Sequence, residues 1–131
     1  MKRKIVLDSF ALLAYLQNER GAGKVKRLLA AEGSRALIND INLGEVYYII
    51  GRERKIEDAD YFLEVIFPSL PITRLSNGLQ QVIDAARLKA KYALSYADCF
   101  SVATALAQGA PLVTGDPEFR KVRDLIELEF I

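Results

Sequence analysis

The stretch Lys4-Ile5-Val6-Leu7-Asp8-Ser9-Phe10 decides the fold. Lys4 to Leu7 reads as a short buried strand, and Asp8 ends it. Ser9 then caps a helix whose apolar positions are Phe10, Leu12, Leu13 and Leu16. Gly21 and Gly23 break that helix. Lys24 to Ala31 gives a second one, with Val25, Leu28 and Leu29 on one face and Gly33 at its end. Arg35 to Ile38 predicts the second strand. Asp40 or Asn42 caps the helix that carries Glu45, which runs to about Ile50 and stops at Gly51.

Farther on, Asp58 to Phe67 predicts a helix terminated by Pro68, and Leu70 to Arg74 a weak strand broken by Pro71. Asn77 to Tyr92 is a long amphipathic helix with Leu79, Val82, Ile83, Ala86 and Leu88 as apolar positions. Ser95 starts a helix that reaches about Gln108 and ends at Gly109. Leu112 to Thr114 and Leu125 to Phe130 supply the last strands. Strands alternating with helices argue for an α/β protein: a parallel sheet with helices on both faces. Ligands bind such sheets beyond the carboxyl ends of the strands, near a topological switch point. Asp8 and Asp116 both lie just past strand carboxyl ends, and Glu45 and Asp98 lie near helix starts that can face the same edge.

Composition narrows the chemistry. The 131 residues fit one domain, 1–131, and 51% apolar content is enough to fold without disulfides or structural metal. One cysteine, Cys99, cannot form an internal disulfide, so the chain reads as cytoplasmic. No apolar run approaches the roughly 18 residues of a membrane span. Met1-Lys2-Arg3-Lys4 is basic as a signal peptide's start would be, but Asp8 interrupts the apolar stretch at once. The net charge of +1 says little by itself. The absence of histidine excludes Ser-His-Asp and Cys-His catalysis and every zinc site that uses imidazole. Four carboxylates at structural punctuation points with no imidazole favour a hard, oxygen-liking cation, Mg²⁺ or Mn²⁺.

Each acid also has a plain structural reading. Asp8 can cap the helix beginning at Ser9, Asp98 fits a capping box with Ser95, and Asp116 before Pro117 is a turn residue. Glu45 suits the positive end of a helix dipole. The joint pattern is harder to reach by chance than any one member.

That pattern resembles a known family, the PIN-domain ribonucleases that act as toxins in bacterial and archaeal VapBC toxin–antitoxin pairs. The segments that carry the resemblance are Ile5-Val6-Leu7-Asp8-Ser9, Leu43-Gly44-Glu45-Val46, Tyr96-Ala97-Asp98-Cys99-Phe100-Ser101-Val102-Ala103-Thr104-Ala105 and Leu112-Val113-Thr114-Gly115-Asp116-Pro117-Glu118-Phe119. They span almost the whole chain in family order. The resemblance implies a three-layer α/β/α sandwich, a Mg²⁺- or Mn²⁺-dependent site and endonucleolytic cleavage of RNA by metal-activated water. It places Asp8, Glu45, Asp98 and Asp116 at the four acidic positions, with Ser9 and Thr114 as polar supports. Asp8, Asp98 and Asp116 would be metal ligands, direct or through water; Glu45 would bind a second ion or orient the attacking water. A VapB-like antitoxin and a homodimer are the implied partners. The chain departs from the family before Glu45, where Ser and Thr are common and Asn39-Asp40-Ile41-Asn42 stands. It departs again at Phe10, where a small polar residue is common and a ring narrows the pocket.

Other features read as structural. Gly21-Ala22-Gly23-Lys24 has the look of a phosphate loop but lacks its spacing and follows a helix. Cys99, without a histidine, is a buried small apolar residue. Arg52-Glu53-Arg54-Lys55 and Arg87, Lys89 and Lys91 are solvated helix faces or guides for RNA phosphates. Tyr47, Tyr48 and Tyr92 pack, or stack on bases. Two other function classes compete. One is a non-catalytic PIN-like module binding RNA or protein. The other is a different Mg²⁺-dependent phosphoryl-transfer enzyme. A phosphatase of that kind would want an Asp where Phe10 stands, and a receiver domain would want one after Leu70 to Arg74.

Overall fold

The computed structural model describes residues 3–131; Met1 and Lys2, the start of the basic stretch weighed above as a signal peptide, lie outside them. Five strands form one sheet: β1 (Arg3–Leu7), β2 (Ser34–Asn39), β3 (Ile72–Leu75), β4 (Leu112–Thr114) and β5 (Leu128–Phe130). Their order is β3-β2-β1-β4-β5 and every neighbouring pair is parallel. The helices are α1 (Ser9–Leu16), α2 (Ala22–Ala30), α3 (Asp40–Glu53), α4 (Ile56–Tyr61), α5 (Leu79–Lys91) and α6 (Tyr96–Gln108). The chain grows outward from β1 through β2 to β3, then returns to lay β4 on the other side of β1. The β1–β4 junction is therefore the switch point, where a crevice opens at the carboxyl ends. Leu7 is in register with Val113, which sets Asp8 level with Thr114 at that crevice.

The central strand explains the layers. Ile5, Val6 and Leu7 are all fully buried. Side chains alternate along a strand, so a continuous apolar run must be covered on both faces. Val6 joins Leu37 and Leu112 in a core with Phe100, Val102 and Phe119. Ile5 and Leu7 join Ile38 and Val113 in a second core with Leu12, Val25 and Val46. The expected three-layer α/β/α sandwich is what forms.

Several boundaries differ from the sequence reading, each for a local reason. The predicted helix Asp58 to Phe67 starts two residues earlier as α4, then widens into a π turn over Phe62–Ile66 and tightens to a 3₁₀ turn over Phe67–Ser69. Pro68 has no N–H to continue an α ladder, and the Phe67 amide reaches back to the Phe62 carbonyl instead. Helix α3 does not stop at Gly51. The missing Cβ there lets Ile56 close in; a Cβ would fall 2.9 Å from Ile56 Cδ1. The final strand begins at Leu128, not Leu125, because the amides of Leu125 and Ile126 both turn back to the Val122 carbonyl. Helix α5 begins at Leu79, where Gln81 accepts the Gly78 amide at 2.9 Å.

Candidate active site

Asp8 is delivered to the crevice by β1 and is 2% exposed. It, and not Ser9, caps α1: its Oδ1 accepts the Ala11 amide at 2.8 Å. Asp8 holds the extended backbone an N-cap requires, whereas Ser9 is already the first helical residue, half-buried. The other carboxylate oxygen, Oδ2, accepts the Thr114 hydroxyl at 2.5 Å. Burial pushes the Asp8 carboxyl up to about 7, against the pull of its Thr114 and Ala11 hydrogen bonds; the charges of Asp98 and Glu45 push it the same way.

Asp98 stands in the first turn of α6, capped as expected by Ser95, whose Oγ accepts the Asp98 amide at 3.1 Å. Its half-buried carboxyl is pushed up to about 6, chiefly by burial, with Glu45, Asp116 and Glu118 adding repulsion and a Ser95 hydrogen bond opposing. Asp116 follows β4 and opens an unanticipated 3₁₀ turn over Pro117–Val122, accepting the Glu118 amide at 2.9 Å. Its own amide donates to the Thr114 hydroxyl at 3.0 Å. Glu45, half-buried in α3, is felt by both Asp8 and Asp98. The four acids picked from sequence thus share one edge of the sheet and act on one another. Glu118, exposed and ion-paired with Lys121, is a fifth acid at the rim that sequence reasoning passed over.

A buried polar network joins the helices that carry Glu45 and Asp98. Asn39 caps α3 in place of Asp40 or Asn42, its Oδ1 accepting the Asn42 amide at 2.9 Å. Asp40 instead pairs with Arg74 at 2.8 Å. Asn39, Asn42, Ser101 and Thr104 are all buried and hydrogen-bonded across the α3–α6 contact. The departure from Ser and Thr before Glu45 was the signal; the Ser101 and Thr104 partners could not be inferred without the packing.

Among the described residues no three acidic, cysteine or histidine side chains form a closed group ready to hold an ion directly. The acids nevertheless fit one kind of ion. Mg²⁺ gives up its waters reluctantly and is bound by one or two carboxylates together with substrate phosphates, not by an all-protein cage. An open edge of oxygen donors, with two carboxyls raised by burial and mutual repulsion, suits such a hydrated ion and excludes a soft-metal site.

Phe10 is 45% exposed and its ring lies against Gly115, so it does narrow the crevice between the first and last acids. Cys99 is buried and burial pushes its thiol up, as a packing residue requires. Tyr47 donates to Asp60 at 2.5 Å, tying α3 to α4, and Tyr92 packs against the α6-side core. Lys89 donates to the Leu94 carbonyl at 2.8 Å, and Lys24 to that of Phe130 at 2.7 Å. Both ammonium groups are tied to backbone carbonyls, and the Gly21 region is the turn into α2, with Gly21 at φ +95°.

No helix among the described residues is long and apolar enough to cross a membrane. No curated protein matches the chain in sequence. Among solved structures, the chain is similar to VapBC2 from Rickettsia felis, determined bound to a DNA fragment from its promoter: 22% identity, 96% of this chain and 97% of that one, TM-score 0.74. It is similar to the DNA-bound VapBC of Salmonella typhimurium at 20% identity, 97% of each chain and TM-score 0.73. It is also similar to Mycobacterium tuberculosis VapC20, described as a sarcin-ricin loop cleaving toxin, at 18% identity, 88% and 92% coverage and TM-score 0.72. These likenesses establish the fold. A sequence model of the PIN domain matches residues 5–125, nearly the whole chain, and the protein belongs to the PIN domain family.

Proposed function

We propose that this protein is a Mg²⁺- or Mn²⁺-dependent endoribonuclease, the toxin of a VapBC-type pair, with Asp8, Glu45, Asp98 and Asp116 as its acidic residues. One observation carries the reading. Asp8 is buried, hydrogen-bonded to hold its carboxylate in place, and set in the repulsive field of two other acids. Such a group is costly to ionise unless a cation shares the site. RNA brings further negative charge, which bare carboxylates would repel. A divalent ion bound there would neutralise the phosphate and acidify an attacking water. The chain's own part is to fix the donors. Thr114 aims Asp8, the α6 N-terminus presents Asp98, and Asp116 closes the edge beside the 3₁₀ turn. Glu45 orients the water or holds a second ion.

The partner reading has surface support. A groove of about 260 Å³ lined by Leu16, Ile50, Tyr61, Phe62 and Ile66 runs between α1, α3 and α4. A second, of about 330 Å³, is lined by Phe10, Leu13 and Ile49 together with Gln17, Glu19, Arg20 and Glu53. A VapB-like antitoxin segment lying in both would reach Phe10, two residues after Asp8. The solved neighbour from Klebsiella pneumoniae is a toxin–antitoxin complex. Homodimerisation follows from the resemblance, and action in the cytoplasm from the single cysteine, Cys99.

The test is cleavage of a panel of transfer, ribosomal and messenger RNAs with Mg²⁺ or Mn²⁺, with EDTA, and with Asp8→Asn and Asp98→Asn. Cleavage should need the metal and be lost in both variants. Metal-independent cleavage, or full activity in both, would sink the assignment. Binding without cleavage of any RNA would favour the non-catalytic module.

A further inference from the structure

We propose that Asn42 is a positioning residue: its side-chain amide holds Glu45 at the carboxylate edge and sets its place relative to Asp98. The inference deepens the nuclease reading and rests on it. Asn42 is fully buried. Its Nδ2 donates to Glu45 Oε1 at 3.2 Å and to the Ala97 carbonyl at 3.1 Å. Its Oδ1 accepts the Ser101 hydroxyl at 2.8 Å and Asn39 Nδ2 at 2.7 Å. Two donors and two lone pairs are all the amide has, and all are used. The orientation is also fixed. A flipped amide would face its oxygen toward a carboxylate and a carbonyl, which can only accept.

The placement gives these bonds a purpose. Ala97 and Ser101 bracket Asp98 on α6, and Glu45 lies one turn after Asn42 on α3. Asn42 is therefore the junction through which the two helices carry their acids to one edge. Asn39 stiffens it, bonded to Thr104 at 3.0 Å and capping α3 through the Asn42 amide. The bonds to Ala97 and Ser101 suffice to tie the helices together. The remaining donor serves only Glu45, a flexible, half-buried side chain that stands among the like-charged Asp8 and Asp98. A charge-assisted bond to one of its oxygens fixes its place there.

The experiment is a double-mutant cycle on the full chain: wild type, Asn42→Ala, Glu45→Gln and the double variant. Mn²⁺ alone is titrated calorimetrically without RNA, and kcat and KM are measured on a cleaved RNA. Glu45 acts on both Asp8 and Asp98, so Glu45→Gln should weaken Mn²⁺ whether or not it is a direct ligand. Loss of a hydrogen bond to a charged group should make the Asn42→Ala effect about tenfold to a hundredfold. The double variant should bind Mn²⁺ no more weakly than Glu45→Gln, because without the charge Asn42 has nothing to position. The fall in kcat should follow the same pattern with KM for RNA little changed. Additive losses, or wild-type Mn²⁺ affinity in Asn42→Ala, would overturn the proposal. If Asn42→Ala does not fold, Ser101→Ala removes only the hydroxyl that orients the amide, and the same cycle with Glu45→Gln decides on the same criterion. Non-additive Mn²⁺ binding in a protein that cleaves no RNA would leave Asn42 as a positioner and defeat the nuclease reading. Cleavage with an additive cycle would do the reverse.

Discussion

The Thr114 hydroxyl donates to Asp8 Oδ2 at 2.5 Å while its oxygen accepts the backbone amide of Asp116 at 3.0 Å. One fully buried side chain thus couples the acid that ends β1 to the acid that follows β4. A hydroxyl has a single proton, and here it goes to Asp8, stabilising the ionised form. The parallel register of Leu7 with Val113 makes this possible, because it sets the two strand ends level.

Thr114→Val keeps the volume and removes the proton. Asp8, already pushed up to about 7, should rise further because the bond opposing its burial is gone. Loss of a bond worth about 1 kcal/mol or more should move the acidic limb of the pH–rate profile upward by about one pH unit. The Asp116 amide also loses its acceptor, which should lower stability by about 1–3 kcal/mol. A pH–rate profile that keeps its wild-type midpoint would show that Thr114 does not tune Asp8.

Asp8→Asn should separate stability from activity. In the unfolded chain Asp8 ionises near 3.8, and in the folded chain near 7. Between those values the folded state keeps a proton that the unfolded state has released. Stability is therefore lost as pH rises through this window, levels off above about pH 7, and carries no such penalty below about pH 4. Replacing the buried carboxylate by an amide should stabilise the metal-free protein at pH 8 by an amount on the order of 4 kcal/mol at most. At pH 4 the variant should match wild type. Urea unfolding at both pH values tests this, and equal stabilisation at the two would contradict it.

Much of this edge was legible in the sequence because it depends on local chemistry. Ile5-Val6-Leu7-Asp8 reads as a buried strand ending in an acid, and Leu112–Thr114 is bounded by Pro111 and Gly115. Ser95 as a cap follows from its type and position. What was not legible depends on contacts distant in sequence. The Asn42–Ser101 bond spans 59 residues, and no propensity at either position announces the other. Gly51 looked like a helix stop because its role is to admit Ile56. Asp8 took the cap from Ser9 because β1 delivers it in an extended conformation, a tertiary fact that their similar capping preferences cannot decide.

Divalent metal should stabilise the folded chain, and more so as pH rises. Ligands must be deprotonated to bind a cation, and Asp8 and Asp98 are raised to about 7 and about 6. At a hundredfold excess over Kd, mass action gives about 2.7 kcal/mol. The melting temperature should therefore rise with Mn²⁺ at pH 8 and hardly at pH 5, and Asp8→Asn should lose the response at both. Scanning calorimetry with and without EDTA reads this directly. A shift equal at the two pH values would place the ion away from these acids.

Gly115 leaves room for the Phe10 ring. A Cβ at Gly115 would fall 2.2 Å from Phe10 Cε1, 2.7 Å from Cδ1 and 2.9 Å from Cζ. Gly115 has no positive φ, so alanine there meets only this ring and no backbone strain. The ring is 45% exposed and can swing outward, leaving the Thr114 and Asp116 backbone in place. Gly115→Ala should therefore cost about 1–2 kcal/mol, in the range of overpacking a site that can yield. In a Phe10→Ala background the same substitution should cost almost nothing, because the clash has been removed. Urea midpoints for the four proteins measure the difference. An equal cost in both backgrounds would mean that Gly115 is required by the backbone between Thr114 and Asp116, and not by the ring that narrows the crevice.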